Sequence, residues 1–346
     1  MSLKITTWNL EHSNRLIKDS PNSQIRERRR RVKETLEEIN PDILCIQEGP
    51  KGEHGIHDFA EQVLDNDWVP VLLRGEGDEL GDRDREYKLK GTQWIWFLVR
   101  PSMLDSCRIQ APEVWQDFTV QKKWDVYYWG KYKKVQHSHY RHPQVLIYKL
   151  PDGNEMELIG VHLKSKINKM RVIFDSEGNL NQSYVDEAIK ARVKLATEAR
   201  DVRRYLDAKF EQEEHPAIVV LGDCNDGPGH DHFETNYLYF DLISNLQGEV
   251  MLAERFFNHA LFTYSNRLRW SARYRDKIKK ISARNNPLLI DHILLSQGLC
   301  QGHFPLQANR NSGKVEHTIF ERVNAGSNSK TRTSDHRPVS CTLFDD

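Results

Sequence analysis

Residues 216–227, PAIVVLGDCNDG, are the stretch on which the fold and the site depend. The apolar, largely β-branched run 218–221 closes at Gly222, which is typical of a buried strand that ends in a loop. Side chains alternate along an extended chain. If the extended geometry persists, Asp223 and Asn225 point to the same side, at the mouth of an apolar sheet. Asp, Asn and Gly are also ordinary turn residues, so the rest of the sequence must decide between a turn and a site.

Composition limits the class of protein without selecting a partner. The chain has 346 residues, 38% of them hydrophobic, and 50 Lys and Arg balance 50 Asp and Glu. We predict one globular domain over residues 1–346. The five cysteines form no CxxC pair, so we expect reduced thiols and a cytoplasmic location. We expect neither a membrane span nor a signal peptide, because no sufficiently long apolar run occurs.

Apolar strand-like runs and amphipathic helical segments mix along the chain. The clearest helix covers residues 185–210, where apolar residues recur at steps of three and four. A second helix is predicted at 23–40, before a proline. Besides the run at 218–221, strands are predicted at 3–8, 42–47, 93–99, 143–150, 156–161, 288–295 and 338–343.

Polar residues recur where these apolar runs end. They are Asn9, Glu48, His162, the pair Asp223 and Asn225, Asp291, and the pair Asp335 and His336. Each alone has an ordinary explanation as a cap or loop residue, and a lone histidine is more often structural than catalytic. Six such coincidences in one chain are much harder to attribute to capping.

The same residues belong to motifs that carry a family resemblance. In chain order they are WNL at 8–10, QE at 47–48, HLKS at 162–165, GDCND at 222–226, IDHILLS at 290–296 and SDHRPV at 334–339. On these motifs the chain resembles the endonuclease/exonuclease/phosphatase superfamily, the fold of deoxyribonuclease I and exonuclease III. The resemblance implies a four-layered α/β sandwich, in which two packed mixed β-sheets are flanked by helices. It also implies a metal-dependent phosphoesterase site at one edge.

The resemblance implies catalytic roles residue by residue. Asp223 and Asn225 would position the attacking water and a phosphate oxygen. His336 would be the general base or a phosphate-stabilising imidazole, and Asp291 would hold it in the required tautomer. His162 would donate to the phosphate.

The implied metal is Mg²⁺ or Mn²⁺, because its ligands would be hard oxygen atoms. Glu48 is the first expected ligand, with Asn9 and Asp335 nearby. Lys164 would add positive charge beside the phosphate, or be an ordinary solvated lysine. Gln93 stands where deoxyribonuclease I-like members carry a glutamate that orients the second histidine, which favours His162 as a phosphate donor over an acid.

Two stretches concentrate positive charge and aromatic rings. Residues 121–142 hold six Lys and Arg against one acid, and residues 265–284 hold eight against one. Cations for phosphates and rings for bases are typical of a surface that binds single strands. A solvated hairpin with inward-packed rings is the alternative. The expected substrate contacts are Lys133, Lys134, Trp129, Arg273 and Arg275, with Trp270 as a second ring for stacking.

The predicted function is hydrolysis of DNA or RNA phosphodiester bonds by an activated water, with nucleic acid as the partner. The alternative is a phosphatase or phosphodiesterase that acts on a small phosphorylated molecule or a lipid headgroup. A lipid enzyme would more often show an exposed apolar lip or an anchor, and neither is evident. A binding protein without activity is disfavoured, because it would not need the full set of site residues.

Overall fold

The computed structural model describes residues 2–18, 21–75, 77–115, 124–127, 134–229, 231–238 and 240–345, with the backbone alone at 114, 124–127 and 134–136. The strands are β1 Ser2–Asn9, β2 Ile43–Gly49, β3 Val69–Pro70, β4 Trp94–Val99, β5 Cys107–Gln110, β6 Trp124–Tyr127, β7 Lys134–His137, β8 Gln144–Lys149, β9 Glu155–His162, β10 Ile218–Asp223, β11 Asn258–His259, β12 Ala272–Arg273, β13 Pro287–Leu288, β14 Asp291–Leu295, β15 Leu306–Val315 and β16 Val339–Asp345. The α-helices are α1 Ser23–Ile39, α2 Gly52–Leu64, α3 Gln182–Gln212, α4 Leu242–Gln247 and α5 His317–Val323.

The strands build two six-stranded mixed sheets. The first has the order β15-β16-β1-β2-β4-β3, and the second has the order β11-β14-β10-β9-β8-β5. Each contains one parallel pair, β1 with β2 and β9 with β10, and the remaining neighbours are antiparallel. Two short ribbons, β6-β7 and β12-β13, lie outside the sheets.

Strand β10 shows why the sheets stack. Val219 and Leu221 point into the core shared with the first sheet, and Ile218 and Val220 point into a second core that includes Leu195 of α3. A strand that is apolar on both faces needs a covering layer on each side. The result is the predicted four-layered α/β sandwich of two mixed sheets flanked by helices.

The first sheet is covered by a helical layer built on α1. Its buried face includes Val32, Leu36 and Ile39, and Asn22 caps its start by accepting from the Ile25 backbone N–H. Helices α2 and α5 pack beside α1. The predicted strands are present with shifted ends, except that the run 288–295 is divided between β13 and β14. None of the described helices combines the length and apolar character that crossing a membrane requires.

Candidate active site

Three neighbouring strands of the second sheet bring polar residues into register. His162 ends β9, Asp223 ends β10 and Asp291 begins β14, and Asp223 is paired with both of the others. Gly222 allows this approach, because its φ is 139° and a Cβ there would lie 2.0 Å from the Val161 carbonyl oxygen. All three side chains are buried and, by alternation from Leu221, face the first sheet.

The first sheet supplies Asn9 at the end of β1. Its Nδ2 donates to Asp223 Oδ2 at 2.9 Å, which joins the two sheets across the site. The WNL and SDHRPV motifs are held together here, since Trp8 Nε1 donates to the His336 carbonyl at 3.0 Å and Ser334 Oγ donates to the Asn9 carbonyl at 2.6 Å. The bonds made by Trp8 and Ser334 each join residues from opposite ends of the chain.

Asp223 lies at the centre of this arrangement. Its Oδ1 accepts from the Asn225 backbone N–H at 2.8 Å, and its Oδ2 lies 3.6 Å from His162 Nε2. Burial raises the pKa of Asp223 to about 7, with His336 opposing the shift and Asp291 adding to it. A carboxylate with such a pKa can accept a proton near neutral pH.

Asn225 reaches the site by a different path from the one predicted. The chain leaves its extended course after Asp223, and Asn225 has a φ of 54°, in the left-handed region. Its Nδ2 donates to the Leu163 carbonyl at 2.9 Å. The condition for strand alternation is therefore not met, because the extended geometry ends at Asp223 and a turn positions Asn225.

Both ring nitrogens of His336 have a hydrogen-bond partner. Its Nδ1 lies 2.8 Å from Asp291 Oδ2, and its Nε2 lies 2.8 Å from the Tyr274 hydroxyl. Burial opposes the charged imidazole, but the carboxylates of Asp291 and Asp223 outweigh it and raise the pKa of His336 to about 10. The ring is therefore cationic at neutral pH and donates from both nitrogens.

Tyr274 is a site residue that the sequence did not identify as one. Its hydroxyl donates to Asp335 Oδ2 at 3.2 Å, so it joins His336 to Asp335. Burial raises its pKa, and Asp335 adds to the shift. The sequence offered only its place in the basic, aromatic stretch 265–284, where it was expected to serve as a stacking ring.

Glu48 lies at the same edge, one residue after Gln47, which is level with Asn9 in the parallel pair. Its Oε2 accepts from the His12 backbone N–H at 2.8 Å and from Gln93 Nε2. Gln93 therefore hydrogen-bonds to Glu48 and not to His162, which it was expected to support. The His162 Nδ1 is buried without a hydrogen-bond partner among the described residues.

Arg141 is a second residue of the site that the sequence did not identify as one. Its Nε and Nη2 donate to the carbonyls of His162 and Leu163 at 3.1 and 3.2 Å. Burial lowers its pKa, while the carboxylates of Glu198, Asp223 and Glu48 raise it. The sequence showed it only as one cation of the stretch 121–142, but the fold brings its charge near the carboxylates of Asp223 and Glu48.

The structure places the expected substrate contacts in different surroundings. Trp270 is 8% exposed, and the guanidinium carbons of Arg273 and Arg337 lie 4.0 and 3.9 Å from its ring centre. The expectation that Trp270 stacks on a base is therefore wrong, because arginines already cover the buried ring. Lys164 turns its ammonium to the Ser165 carbonyl at 3.2 Å. Trp129 and Lys133 lie outside the described residues, as does the side chain of Lys134.

A cleft of about 590 Å³ opens beside Asn225 and Tyr274. The loop that connects β12 to β13 forms one of its walls and carries Arg275, Lys277 and Lys279, all exposed. Positive charge on that wall suits a ligand with several phosphates.

The donors at this edge fit a hard divalent cation. Glu48 and Asp335 keep 17% and 26% of their side chains exposed, so both carboxylates remain open to solvent. With the Asn9 carboxamide they are oxygen donors of the kind that Mg²⁺ and Mn²⁺ take. Asp223, Asp291 and His336 also offer ligand atoms within 4.8 Å of one another. Within that group, Asp291 and His336 already bind each other.

The chain has the deoxyribonuclease I-like fold, which confirms the resemblance to the endonuclease/exonuclease/phosphatase superfamily for the fold. Among solved structures, TDP2 from Caenorhabditis elegans aligns with a TM-score of 0.52 at 13% identity, over 99% of this chain and 74% of that one. A truncated form of the same protein aligns with a TM-score of 0.52 at 12% identity, over 99% and 98%. No protein-family model matches the sequence, and no curated protein does.

Proposed function

We propose that this protein is a metal-dependent phosphodiesterase that hydrolyses nucleic-acid phosphodiester bonds with an activated water. The observation that carries the proposal is the hydrogen-bonded row Asp291, His336 and Tyr274 with Asp223 beside it. It places a fixed cationic donor 4.0 Å from a carboxylate of raised pKa. Such a pair can stabilise an anionic phosphate and accept a proton from the nucleophile.

Each residue has a separate task in this mechanism. Asp291 fixes the orientation of His336, whose Nε2–H points toward Tyr274 and donates to a phosphate oxygen when substrate binds. Asp223 takes the proton of the attacking water, whose oxygen forms the new bond to phosphorus as the ester bond breaks. The leaving oxygen takes up a proton from solvent. Asn9 and the Asn225 backbone hold the Asp223 carboxylate in place.

Glu48, Asn9 and Asp335 would hold the metal, Mg²⁺ or Mn²⁺. When bound, the ion would neutralise charge that develops on the phosphate oxygens. Arg141 adds fixed positive charge on the side of His162. His162 donates to the phosphate from Nε2 in this scheme, since its neutral ring lies 3.6 Å from Asp223.

Nucleic acid is the proposed substrate because the basic wall of the cleft, at Arg275, Lys277 and Lys279, continues from the site at Tyr274. Phosphates on either side of the scissile bond would contact these cations. The five free cysteines support a cytoplasmic location for this activity.

The direct test compares substrates and metals in one assay. Single-stranded DNA, duplex DNA, RNA, a small chromogenic phosphodiester and a phosphate monoester are incubated with Mg²⁺, with Mn²⁺ and with excess EDTA. We expect cleavage of at least one nucleic acid with metal and none with EDTA. Hydrolysis of the small esters alone would replace the proposal with a small-molecule phosphoesterase, and undiminished hydrolysis in EDTA would contradict the metal requirement.

A further inference from the structure

His12 lies beside Glu48 at the mouth of the site and has no task in the mechanism above. Its ring Nδ1 is 3.4 Å from Glu48 Oε2, and its backbone N–H donates to the same oxygen at 2.8 Å. The His12 side chain is 43% exposed and that of Glu48 is 17% exposed. The imidazole therefore stands between the carboxylate and solvent.

The Gln93 amide shows how both groups are oriented. Its Nε2 contacts Glu48 Oε2 and also lies 3.0 Å from His12 Nδ1. An amide nitrogen can only donate, so His12 Nδ1 and Glu48 Oε2 both act as acceptors toward it. Two lone pairs from different residues thus converge on the positively polarised Gln93 amide, which an ion bound to both residues would displace.

The spacing of these two acceptors matches that of neighbouring ligands on one metal ion. Ligands about 2.1 Å from a common ion and at right angles to each other lie about 3 Å apart. The observed 3.4 Å between His12 Nδ1 and Glu48 Oε2 is close to this value.

The backbone is held in the conformation that makes this convergence possible. Glu11, His12 and Glu48 have φ values of 37°, 58° and 57°, in the left-handed region that non-glycine residues avoid. Ser13 Oγ donates to the Glu48 carbonyl at 2.8 Å and fixes the two segments against each other. Such conformations cost free energy, so the contacts around them must hold them in place.

We propose that His12 is a nitrogen ligand of the metal ion held by Glu48, and that the site therefore selects a transition ion such as Mn²⁺ over Mg²⁺. Imidazole suits first-row transition ions, whereas Mg²⁺ is bound almost entirely through oxygen. The inference rests on the proposed function only for the presence of an ion at Glu48.

The test measures metal binding by the full chain without substrate. Pulsed electron paramagnetic resonance of the Mn²⁺-loaded protein should show coupling to an imidazole nitrogen, and His12→Ala should abolish it. We expect His12→Ala to weaken Mn²⁺ binding by about tenfold or more, the scale of losing a group that supports a metal. Mg²⁺ binding, measured by competition, should change much less. His12→Gln, which keeps the size and offers oxygen, should bind both ions without the nitrogen signal.

His57→Ala is the matched control, because His57, Asp58 and Glu61 form another described group close enough to hold an ion. It should leave the coupling and both affinities unchanged. No nitrogen coupling in the unmodified protein, coupling that survives in His12→Ala, or equal weakening for the two ions would overturn the proposal. Hydrolysis is assayed separately. Nitrogen coupling in a protein that cleaves no phosphodiester would refute the proposed function and leave the His12 ligand intact.

Discussion

The Asp223 carboxylate receives its hydrogen bonds from both sides of the sandwich, from Asn9 on β1 and from the backbone after β10. Replacing it with alanine removes the proposed proton acceptor, and His336→Ala removes the proposed cationic donor. We expect each change to lower kcat by at least about a hundredfold. The exposed Asp152→Ala should keep normal turnover. Thermal melting of each variant separates loss of chemistry from loss of fold, and near-normal turnover in either site variant would contradict the mechanism.

The charge on His336 gives a pH prediction. Asp291 and Asp223 raise the pKa of His336 to about 10, and the mechanism needs the protonated ring. Activity should therefore persist into alkaline solution and fall as the pH approaches that value.

Asp291→Asn removes the contacting negative charge, so the pKa of His336 must fall and the alkaline limb of the kcat profile must move to lower pH. We expect a displacement of about one pH unit or more, since one unit corresponds to about 1.4 kcal/mol of interaction. Asp152→Asn is the charge-matched control. An unmoved alkaline limb in Asp291→Asn would show that another group limits the reaction.

The residues of this site differ in how well the sequence alone predicts them. Asn9, Glu48, Asp223 and Asp291 are visible in the sequence because each interrupts or closes an apolar run, and strand register then brings them together. His12, Arg141 and Tyr274 lie in turns or at element ends and reach the site through tertiary contacts. Loop paths depend on packing rather than on periodicity, so no local pattern reveals them.

At the scale of elements, the same contrast separates β10 from β15. The apolar run 218–221 is continuous and predicted a strand that the structure shows two residues longer, as Ile218–Asp223. Leu306–Val315, LQANRNSGKV, is largely polar in its middle and shifts register between Ala308 and Gly313. Pairing with β16 rather than side-chain burial makes this segment a strand, so hydrophobic alternation gives no signal for it.

The loop between β12 and β13 gives a prediction at this scale. Its exposed Lys277 and Lys279 line the cleft beside Tyr274 and would neutralise two substrate phosphates. The double charge reversal to Glu should raise the KM for an oligonucleotide and spare a small chromogenic phosphodiester. The slope of log affinity against log salt should decrease in magnitude by about 1.4 to 1.8. Binding then neutralises two fewer phosphates, and each neutralised phosphate contributes about 0.7 to 0.9 to the slope through counterion release.

Lys149→Glu with Lys330→Glu is the control for that experiment. Both lysines are exposed, lie outside the cleft lining and carry the same change in net charge. If the control pair weakened oligonucleotide binding as much as the loop pair, the effect would belong to overall charge and the cleft would not be the binding surface.

For the whole molecule, function depends on how closely the two sheets approach. Asn9 comes from one sheet and Asp223 from the other, and the bond between their side chains at 2.9 Å exists only if the sheets keep their separation. Gly160 of β9 lies at this interface, two residues before His162. A Cβ there would meet Cys45 Sγ at 2.8 Å and Phe97 ring carbons at 3.1 Å.

Gly160→Ala should therefore separate or distort the sheets, because the added methyl group enters a filled core. We expect the free energy of unfolding to fall by about 1 to 3 kcal/mol, the usual cost of overpacking. The measurement is the urea midpoint at unchanged m value. Cys45→Ala removes the nearest obstructing atom, so Gly160→Ala should cost less in that background than in the natural sequence. Equal costs in the two backgrounds would contradict the prediction that the Cys45 sulfur limits how closely the sheets approach at Gly160.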